Sequence, residues 1–379
     1  MSARSYIIAL ACCASLLALL VTGINYVVDP YGVTGAPRIA GVNLHKPDIN
    51  ERVRLAKKYQ PLRGTFNTVI VGNSRVEMGI DPAHRCFAEL GLSPYNIGVP
   101  GAGIRRQLEY ALNVVHGQPV RRVFIGLDFF DFIASAPQAP GNRNSFAYQQ
   151  AGDFRYLPAG GANPGYRDVA LKDYYQALFS LDALTSSVRT VLLQDESSPD
   201  RDDSGFNPAR DMAAAVSIEG PRALFDQKMS ELQASYARER VLFAPGETTN
   251  TPLLHVAEFL DIADNLALEV DIFIAPFHRW YQDLLQRKEL LPAYERWREE
   301  VASLVRARSP DTVRLWLFDD DPGYTNESVP AAGARTEPLR WFWEPSHYRS
   351  ELGDLMVQTM LSEQCGSEAV FGYPGDPAR

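Results

Sequence analysis

The sequence predicts an α/β protein built on a parallel sheet, with a helical insertion and one N-terminal transmembrane helix. Short apolar segments alternate with amphipathic helical segments before residue 130 and again after residue 250. Such alternation is typical of βαβ units joined by right-handed crossovers. Residues 130–250 interrupt the rhythm, and a long uncharged stretch precedes all of it.

The uncharged stretch covers residues 5–28 and is long enough to cross a bilayer as a helix. Arg4 precedes it and Asp29 follows it, so the positive-inside rule places the N-terminus in the cytoplasm. A cleaved signal peptide is the competing interpretation, because Val21-Thr-Gly23 offers small residues for cleavage. The stretch exceeds the ~7–15 apolar residues of a signal sequence, which favours the anchor. We therefore expect a single-pass protein of the cytoplasmic (inner) membrane, with its main domain periplasmic or extracellular.

Three regions follow from this pattern: an anchor at residues 1–28, a tether and entry segment at 29–64, and an α/β domain at 65–379. The Gly/Pro-rich residues 29–47 predict an extended tether. Within the domain, the predicted strands are 68–71, 93–95, 122–126, 269–275 and 312–318, and the predicted helices begin at about 82 and cover 104–116, 251–266 and 280–307.

The helical insertion is predicted over about residues 130–250. We expect a Gly/Pro/Asn-rich loop at 135–164, a helix at 167–193, an acidic loop at 195–203 and a helix near 222–239. Its position between two strands predicts that it covers the carboxyl edge of the sheet, where it would shape a site.

Composition and charge indicate a folded protein and limit the kinds of partner it can bind. With 46% hydrophobic and 22% charged residues over 379 positions, the chain has the content of a folded protein. A net charge of −9 without a Lys/Arg cluster argues against nucleic acid as a partner. No metal site is predicted, because His45, His84, His116 and His255 lack a second ligand at metal spacing. No cofactor is predicted either: a flavodoxin-type electron carrier would need a phosphate-binding loop, and Gly72-Asn-Ser-Arg lacks further glycines and hydroxyls.

Two distant segments supply a serine, a histidine and a carboxylate. Ser74 follows the apolar strand 68–71 and the break at Gly72, so it stands at the carboxyl edge of the sheet, where open α/β sheets bind ligands. A serine hydroxyl needs a base to take its proton and a third group to orient that base. His347 and Glu344 lie just before a C-terminal helix and have the required chemistry.

Each of these residues also has an ordinary structural explanation. Ser74 is placed to cap the next helix, and Ser346 is placed to cap the last helix with His347 in its first turn. Glu344, just before a helix, would be stabilised by the positive end of the helix dipole. These alternatives stay open at the level of the sequence.

The segments resemble, in their order, the motif blocks of the SGNH or GDSL hydrolases, over roughly residues 65–130 and 265–360. The resemblance is closer to the membrane-anchored branch that O-acetylates extracellular polysaccharides. The similar segments are Gly72-Asn73-Ser74 (first block, Gly-x-Ser), Asn96-Ile-Gly98-Val-Pro-Gly101 (second block), Gly126-Leu-Asp128 (third block, Gly-x-Asn) and Glu344-Pro-Ser-His347 (last block, Asp-x-x-His).

The resemblance implies a flavodoxin-like sandwich in which Ser74 is the nucleophile, His347 the base and Glu344 the orienting carboxylate. It also implies an oxyanion hole formed by the N–H groups of Ser74 and Gly101. Asp128 stands where the family has an oxyanion-binding asparagine, and an ionised aspartate repels a developing oxyanion. We therefore expect Asp128 to be turned away or protonated, or the backbone N–H groups to act alone.

The implied activity is that of a serine acyltransferase or esterase on O-acetyl groups of an exported polysaccharide. The implied partners are the polysaccharide acceptor and a membrane protein that donates acyl groups. Transfer and hydrolysis share every step, so the residues do not separate them. A catalytically inert relative that binds polysaccharide or scaffolds an export complex is the alternative, because Asp128 and Glu344 depart from the family pattern.

Three more residues are candidates for substrate contact. His278 follows strand 269–275 and should emerge at the same sheet edge, with helix capping as the alternative. Arg75 either pairs with Asp128 or holds an anionic substrate group. Asn73 lies next to the candidate nucleophile.

The cysteines offer one candidate disulfide. Cys12 and Cys13 lie in the apolar segment, which leaves Cys86 and Cys365 as the pair available outside the cytoplasm. A bond between them would tie the segment that carries His347 to the part that carries Ser74. Two unrelated buried thiols are the alternative.

Overall fold

The computed structural model describes residues 2–135, 152–195, 198–243, 249–334, 337–366 and 368–375. These residues form a mixed α/β architecture with a mostly parallel central sheet and an N-terminal apolar helix, in agreement with the predicted class. The strands are β1 Thr68–Val71, β2 Pro94–Asn96, β3 Arg122–Leu127, β4 Ala134–Ser135, β5 Arg240–Val241, β6 Glu269–Ile274, β7 Val313–Leu317, β8 Phe342–Glu344, β9 His347–Tyr348 and β10 Tyr373–Pro374.

Helices precede the sheet, separate its strands and form most of the insertion. They are α1 Ala3–Val28, α2 Val53–Tyr59, α3 Ser74–Gly79, α4 Arg85–Glu89, α5 Ile104–Val115, α6 Tyr166–Leu178, α7 Leu181–Leu192, α8 Arg210–Glu219, α9 Pro221–Ser235, α10 Thr251–Asn265, α11 Arg279–Arg287, α12 Leu291–Arg306, α13 Pro322–Thr325, α14 Ser350–Met360 and α15 Ser362–Cys365. Short 3-10 helices cover Pro47–Arg52, Gln60–Leu62 and Phe129–Phe132.

Within the described residues, six strands form the main sheet in the order β2-β1-β3-β6-β7-β10. The pairings from β2 to β7 are parallel, and β10 joins β7 antiparallel. The chain therefore starts in the middle, at β1, moves to one side with β2 and then crosses to the other side with β3. This reversal creates a crevice between the carboxyl ends of β1 and β3, which is where open α/β sheets bind ligands.

Side chains of the central strands alternate between two apolar cores. Val69 and Val71 pack in one core with residues of α5, α10 and α12, whereas Ile70 packs in the other with residues of α4 and α14. Period-two alternation is what a strand covered on both faces requires. The sheet is thus the middle layer between two layers of helices.

Two predicted helices are each divided in two by local chain chemistry. The helix predicted at 167–193 breaks after Leu178 because Ser180 caps α7, its Oγ accepting from the Ala183 N–H at 3.0 Å. The helix predicted at 280–307 breaks before α12, where Glu289 has φ +56° and Pro292 occupies the first turn. A proline is tolerated in a first turn but not in a helix interior.

Other boundaries shift as well. The helix predicted from about 82 is replaced by α3 and α4, and α8 was not predicted at all. The loop predicted at 135–164 falls largely outside the described residues, as do positions 196 and 197 of the acidic loop.

Residues 29–47 are folded against the domain rather than extended, contrary to the prediction of a tether. Asp29 is buried, and its carboxylate accepts from the N–H groups of Val33 and Thr34 at 2.7 and 2.9 Å. Lys46 Nζ donates to the same carboxylate at 3.1 Å. A buried charge needs such partners, so the segment closes around Asp29 instead of leaving the domain.

Helix α1 is the one helix among the described residues that is long and apolar enough to span a membrane. Length and composition alone fit both a membrane span and a signal sequence. Its last turn is nevertheless part of the fold, because Asn25 is buried and hydrogen-bonded to the insertion.

Cys86 on α4 and Cys365 on α15 form a disulfide, with their Cα atoms 5.5 Å apart. The bond connects positions 279 residues apart in the chain. It links α4, which follows the helix that begins with Ser74, to α15, the second helix after the His347 segment. The two-thiol alternative is therefore excluded in this structure.

We predict that Cys86→Ala/Cys365→Ala lowers the free energy of unfolding by roughly 2–5 kcal/mol, since the disulfide constrains the unfolded chain over a long loop. Thermal unfolding of the detergent-solubilised full chain measures this loss. Cys12→Ala/Cys13→Ala is the matched control, because both thiols are free and exposed on α1. A reductant should lower the melting temperature of the native chain and leave that of Cys86→Ala/Cys365→Ala unchanged; equal melting of variant and native chain contradicts the prediction.

Candidate active site

The fold brings Ser74 and His347 into contact although they are far apart in sequence. Ser74 Oγ lies 2.8 Å from His347 Nε2, within hydrogen-bond distance. His347 Nδ1 is in turn hydrogen-bonded to Glu344 Oε1. The three side chains therefore form a continuous serine, histidine and carboxylate relay, the arrangement required for an activated nucleophile.

Local structure at the end of β1 leaves the Ser74 hydroxyl free for this contact. The chain turns at Gly72, where a Cβ would lie 2.3 Å from Val76 Cγ2, so only glycine fits. Asn73 then caps α3, its Oδ1 accepting from the Arg75 N–H at 3.0 Å. The capping role that the sequence left open for Ser74 thus belongs to Asn73.

Glu344 and His347 sit opposite each other in the β8–β9 hairpin. Ser346, in the turn, donates its Oγ–H to Glu344 Oε1 at 2.9 Å, and its N–H donates to Glu344 Oε2 at 3.1 Å. The N-cap position of α14 is Arg349, which makes no side-chain capping hydrogen bond, so neither Ser346 nor Glu344 has the helix-terminal role considered above. Both act on the orientation of the His347 ring.

Glu344 is almost fully buried, at 1% exposure. Burial by itself raises the pKa of this carboxyl, but the His347 ring and the hydrogen bonds from His347 and Ser346 outweigh it, so the net pKa lies below the ordinary value. A carboxylate that stays ionised holds the Nδ1–H tautomer of His347 and leaves Nε2 free to accept a proton.

Two backbone N–H groups, those of Ser74 and Gly101, belong to residues that line one cavity. Ser74 is the first residue of α3, so its N–H has no partner within the helix. Gly101 lies in the turn after β2, with φ +64°, and lines the same cavity as Ser74. Both residues expected to supply the oxyanion donors therefore line the cavity that contains the candidate nucleophile.

Asp128 is held by opposite charge and by an amide. Its carboxylate pairs with Arg75 Nη1 and accepts from Asn73 Nδ2 at 2.8 Å. Burial alone lowers the pKa of Arg75, but the Asp128 carboxylate raises it by more than burial lowers it, so the net pKa is above the ordinary value. Of the two roles predicted for Arg75, the structure shows the pairing with Asp128. The side-chain amide of Asn73, a predicted substrate contact, is likewise hydrogen-bonded within the protein, to Asp128 and to the Arg75 N–H.

A second acidic residue, Asp131, lies beside this pair. Its Oδ2 accepts from Gln107 Nε2 at 2.7 Å and from Asn73 Nδ2 at 3.3 Å. Burial, followed by the nearby charge of Asp128, raises the pKa of Asp131 to about 7. The site therefore contains a carboxyl group that changes charge near neutral pH.

These residues surround a cavity of about 440 Å³ at the carboxyl ends of β1 and β3. The cavity is lined by Asn73, Ser74, Arg75, Gly101, Ala102, Gly103, Asp128, Phe130, Asp131, Lys228, Glu231, Leu232, Ser235, Tyr281, Ser346 and His347. One wall is helix α9 of the insertion, which also packs against β8. The insertion thus covers the sheet edge as the sequence predicted.

Sequence reasoning missed Ser346, Asp131 and the α9 residues Lys228 and Glu231. A signal existed for Asp131, since it follows Asp128 by one short turn beyond β3. The sequence placed the insertion over this edge but gave no signal for which of its side chains line the cavity, because only tertiary packing brings Lys228 and Glu231 to it.

His278 does not line the cavity, contrary to the expectation of substrate contact. It is buried and caps α11, its Nδ1 accepting from the Trp280 N–H at 3.2 Å while Nε2 bonds to the Glu327 carbonyl at 2.7 Å. Burial lowers its pKa. The alternative of a capping histidine is the one that the structure shows.

Among the described residues, one group of three metal-ligating side chains comes together, formed by Cys86, Glu89 and Cys365. Its two sulfur atoms are joined in the disulfide, so the group is not available to a metal ion.

No protein family matches this chain, and no curated protein matches its sequence.

We predict that Asp128→Asn destabilises the protein by about 3–5 kcal/mol, because it leaves the buried Arg75 cation unpaired. Asparagine can still accept from the Phe130 N–H through its side-chain oxygen, but its NH2 group cannot accept from Asn73 Nδ2, so the change removes the charge and that one hydrogen bond. Chemical unfolding of the full chain in detergent gives the loss. Glu299→Gln, which breaks an exposed pair with Arg306, is the control and should cost less than about 1 kcal/mol. An equal effect of both changes would count against the buried pair.

We also predict that stability falls as pH rises from about 4 to about 7 through Asp131. In the folded state its pKa is about 7, whereas an unfolded aspartate titrates near ~3.9, so the folded state holds the extra proton across this window. Asp131→Asn should remove this contribution, and its melting temperature relative to the native chain should rise from pH 5 to pH 8. Asp311→Asn, at an exposed carboxylate, should follow the native profile; a parallel profile for Asp131→Asn would contradict the prediction.

Proposed function

We propose that this protein is a membrane-anchored extracytoplasmic serine acyltransferase or esterase of the SGNH type, acting on O-acetyl groups of an exported polysaccharide. The observation that carries the proposal is the 2.8 Å contact between Ser74 Oγ and His347 Nε2, backed by Glu344, at the edge of a cavity. The SGNH motif order supports the family, and the exported polysaccharide is what that resemblance implies.

The topology supports the flavodoxin-like part of the proposal. Taken in chain order, the parallel strands of the sheet lie in the spatial sequence 2-1-3-4-5, which is the flavodoxin-like order. Ser74 follows the first of these strands and Asp128 the third, so the cavity lies where that fold binds its ligands.

The reaction follows from the contacts. His347 Nε2 takes the proton of Ser74 as Oγ attacks the acyl carbonyl carbon, and the imidazolium is stabilised by the Glu344 carboxylate. The carbonyl oxygen gains negative charge and is held by the N–H groups of Ser74 and Gly101. Collapse of the tetrahedral intermediate expels the alcohol, which takes the proton from His347 and leaves an acyl-serine. A sugar hydroxyl or water, deprotonated by His347, then attacks the carbonyl carbon of the acyl-serine, and the acyl group leaves Ser74 Oγ, which takes the proton back from His347.

Asp128 is compatible with this reaction because its charge is compensated. The guanidinium of Arg75 and the amide of Asn73 both bind its carboxylate, so the field that it exerts on the oxyanion is reduced. The two backbone donors then supply the oxyanion hole without a side-chain amide.

The location of the acceptor is inferred from α1. If this helix is retained as an anchor, the cavity lies outside the cytoplasmic membrane, where a surface polysaccharide is available and cytoplasmic acyl donors are absent. A membrane partner that carries acyl groups across the bilayer would then supply the donor. Hydrolysis needs no such partner.

A second candidate is a catalytically inert protein that binds polysaccharide or scaffolds an export complex. The observation in its favour is Asp128, an acceptor at the position where the family has a donor. In that case the Ser74 and His347 contact would have only a structural role, and the cavity would bind sugar without acyl transfer.

We predict that the full chain in detergent hydrolyses p-nitrophenyl acetate and that Ser74→Ala and His347→Ala each reduce the rate by at least 10³-fold, as in other triads. His278→Asn is the control, since asparagine also caps helices and the residue lies outside the cavity. A fluorophosphonate probe should label the native chain at Ser74, as read by mass spectrometry. Labelling without turnover points to an obligate transferase, and absence of both, in a folded chain, favours the inert candidate.

A further inference from the structure

Helix α7 has its apolar side on the outside. Leu181, Val188 and Leu192 share one face of the helix and are 74%, 51% and 74% exposed. The opposite face, formed by Ala183, Ser186, Ser187 and Thr190, is buried. A surface helix in water has the reverse arrangement, with apolar residues inward and polar residues outward.

The buried polar face of α7 is turned towards α1 and the segment that follows it. Ser187 Oγ donates to Asn25 Oδ1 at 2.8 Å, and the Ser186 and Tyr31 hydroxyls are 3.0 Å apart. Asn25 Nδ2 also donates to the carbonyl of Leu178, at the turn between α6 and α7, at 2.8 Å. These bonds fix the α6–α7 pair to the last turn of α1.

If α1 is retained as a membrane span, as the proposed function has it, that attachment places the pair near one end of the span. Helix α1 has 26 residues and is therefore about 39 Å long, more than the ~30 Å of a hydrocarbon core. Counting about 20 residues from Arg4, the first charge, brings the outer boundary of the core close to Asn25. The amide of Asn25 is thus at the level where the bilayer meets water.

Helix α6 adds a second apolar stripe at the same end. Leu171, Tyr175 and Phe179 are spaced by four residues and are 60%, 64% and 51% exposed. Tyr175 and Phe179 stack on each other, with ring centroids 5.9 Å apart. Aromatic side chains are enriched at the boundary between lipid and water.

We propose that the apolar face of α6 and α7, formed by Leu171, Tyr175, Phe179, Leu181, Val188 and Leu192, lies in the outer leaflet of the lipid bilayer. Lipid is favoured as the occupant because this face continues from α1, whose side chains along residues 6–20 are themselves exposed and apolar. An amphipathic helix beside a membrane span inserts its apolar side at the interface and leaves its polar side out of the hydrocarbon. Here the polar side is bound to the protein. The α6–α7 pair therefore orients the domain on the membrane surface, a role that is independent of the proposed catalysis.

The test uses the full chain, one molecule per lipid nanodisc, with Cys12→Ala/Cys13→Ala as background. Leu181→Cys, Val188→Cys and Leu192→Cys are labelled one at a time with a nitroxide, whose collision rates with oxygen and with a water-soluble nickel chelate are measured. Two exposed positions outside the face serve as controls: Glu299→Cys on α12, and Leu266→Cys, a matched leucine at the end of α10. The labelled thiols are the free ones, because Cys86 and Cys365 are bonded to each other.

The proposal requires oxygen to dominate at the three α7 positions and nickel to dominate at Glu299→Cys and Leu266→Cys. Nickel access at the α7 positions equal to that of the controls overturns it and leaves the face to another protein. Exclusion of both probes also overturns it, because the side chains would then be covered by the chain itself.

Discussion

The candidate site depends on the close packing of α3 against β9 and α14. Gly79, at the end of α3, has no room for a side chain, since a Cβ there would lie 2.0 Å from the Tyr348 ring. A Cβ on Gly353 would likewise lie 1.7 Å from the Gly79 carbonyl oxygen. Two glycines thus let the segment that begins with Ser74 approach the hairpin that carries His347. The Cys86–Cys365 disulfide joins the next helix on each side, so the same two parts of the chain are tied twice.

Around that contact, the site separates its charges into two groups. Glu344 acts through His347, whereas Asp128, Asp131 and Arg75 form a network on the other side of Ser74. Asn73 connects the second group to α3, because its side-chain Oδ1 caps that helix and its Nδ2 donates to the two aspartates. A change in the protonation of Asp131 therefore acts on the residue that positions Ser74. If the proposed reaction holds, its rate near neutral pH reflects the protonation of this carboxyl.

The sequence was sufficient where local pattern alone decides structure. The strand ending at Val71 was predicted because its residues are all apolar and the glycine after it breaks the pattern; the structure shows that both sheet faces are covered there. Ser74 was predicted as the nucleophile from its place at the sheet edge, and His347 as its base from its chemistry and the motif resemblance; their contact is what the structure shows. Whether it performs acyl transfer stays a prediction. His278 also follows a strand at this edge, but its ring caps α11 and is hydrogen-bonded to the Glu327 carbonyl. Tertiary packing determines this orientation. The walls supplied by α9 and the folded segment around Asp29 depend on tertiary contacts that no local pattern encodes.

The insertion contacts both α1 and the cavity. Its first helices bind the last turn of α1 through Asn25, and its last helix, α9, lines the cavity beside His347. Because α9 also packs against β8, which carries Glu344, the position of the anchor and the shape of the cavity are set by one continuous part of the chain. A soluble esterase would need only the sheet and the hairpin. If the proposed acyl transfer from a membrane partner holds, the enzyme needs, in addition, a fixed orientation towards the bilayer, and the hydrogen bonds between the insertion and the last turn of α1 fit that need.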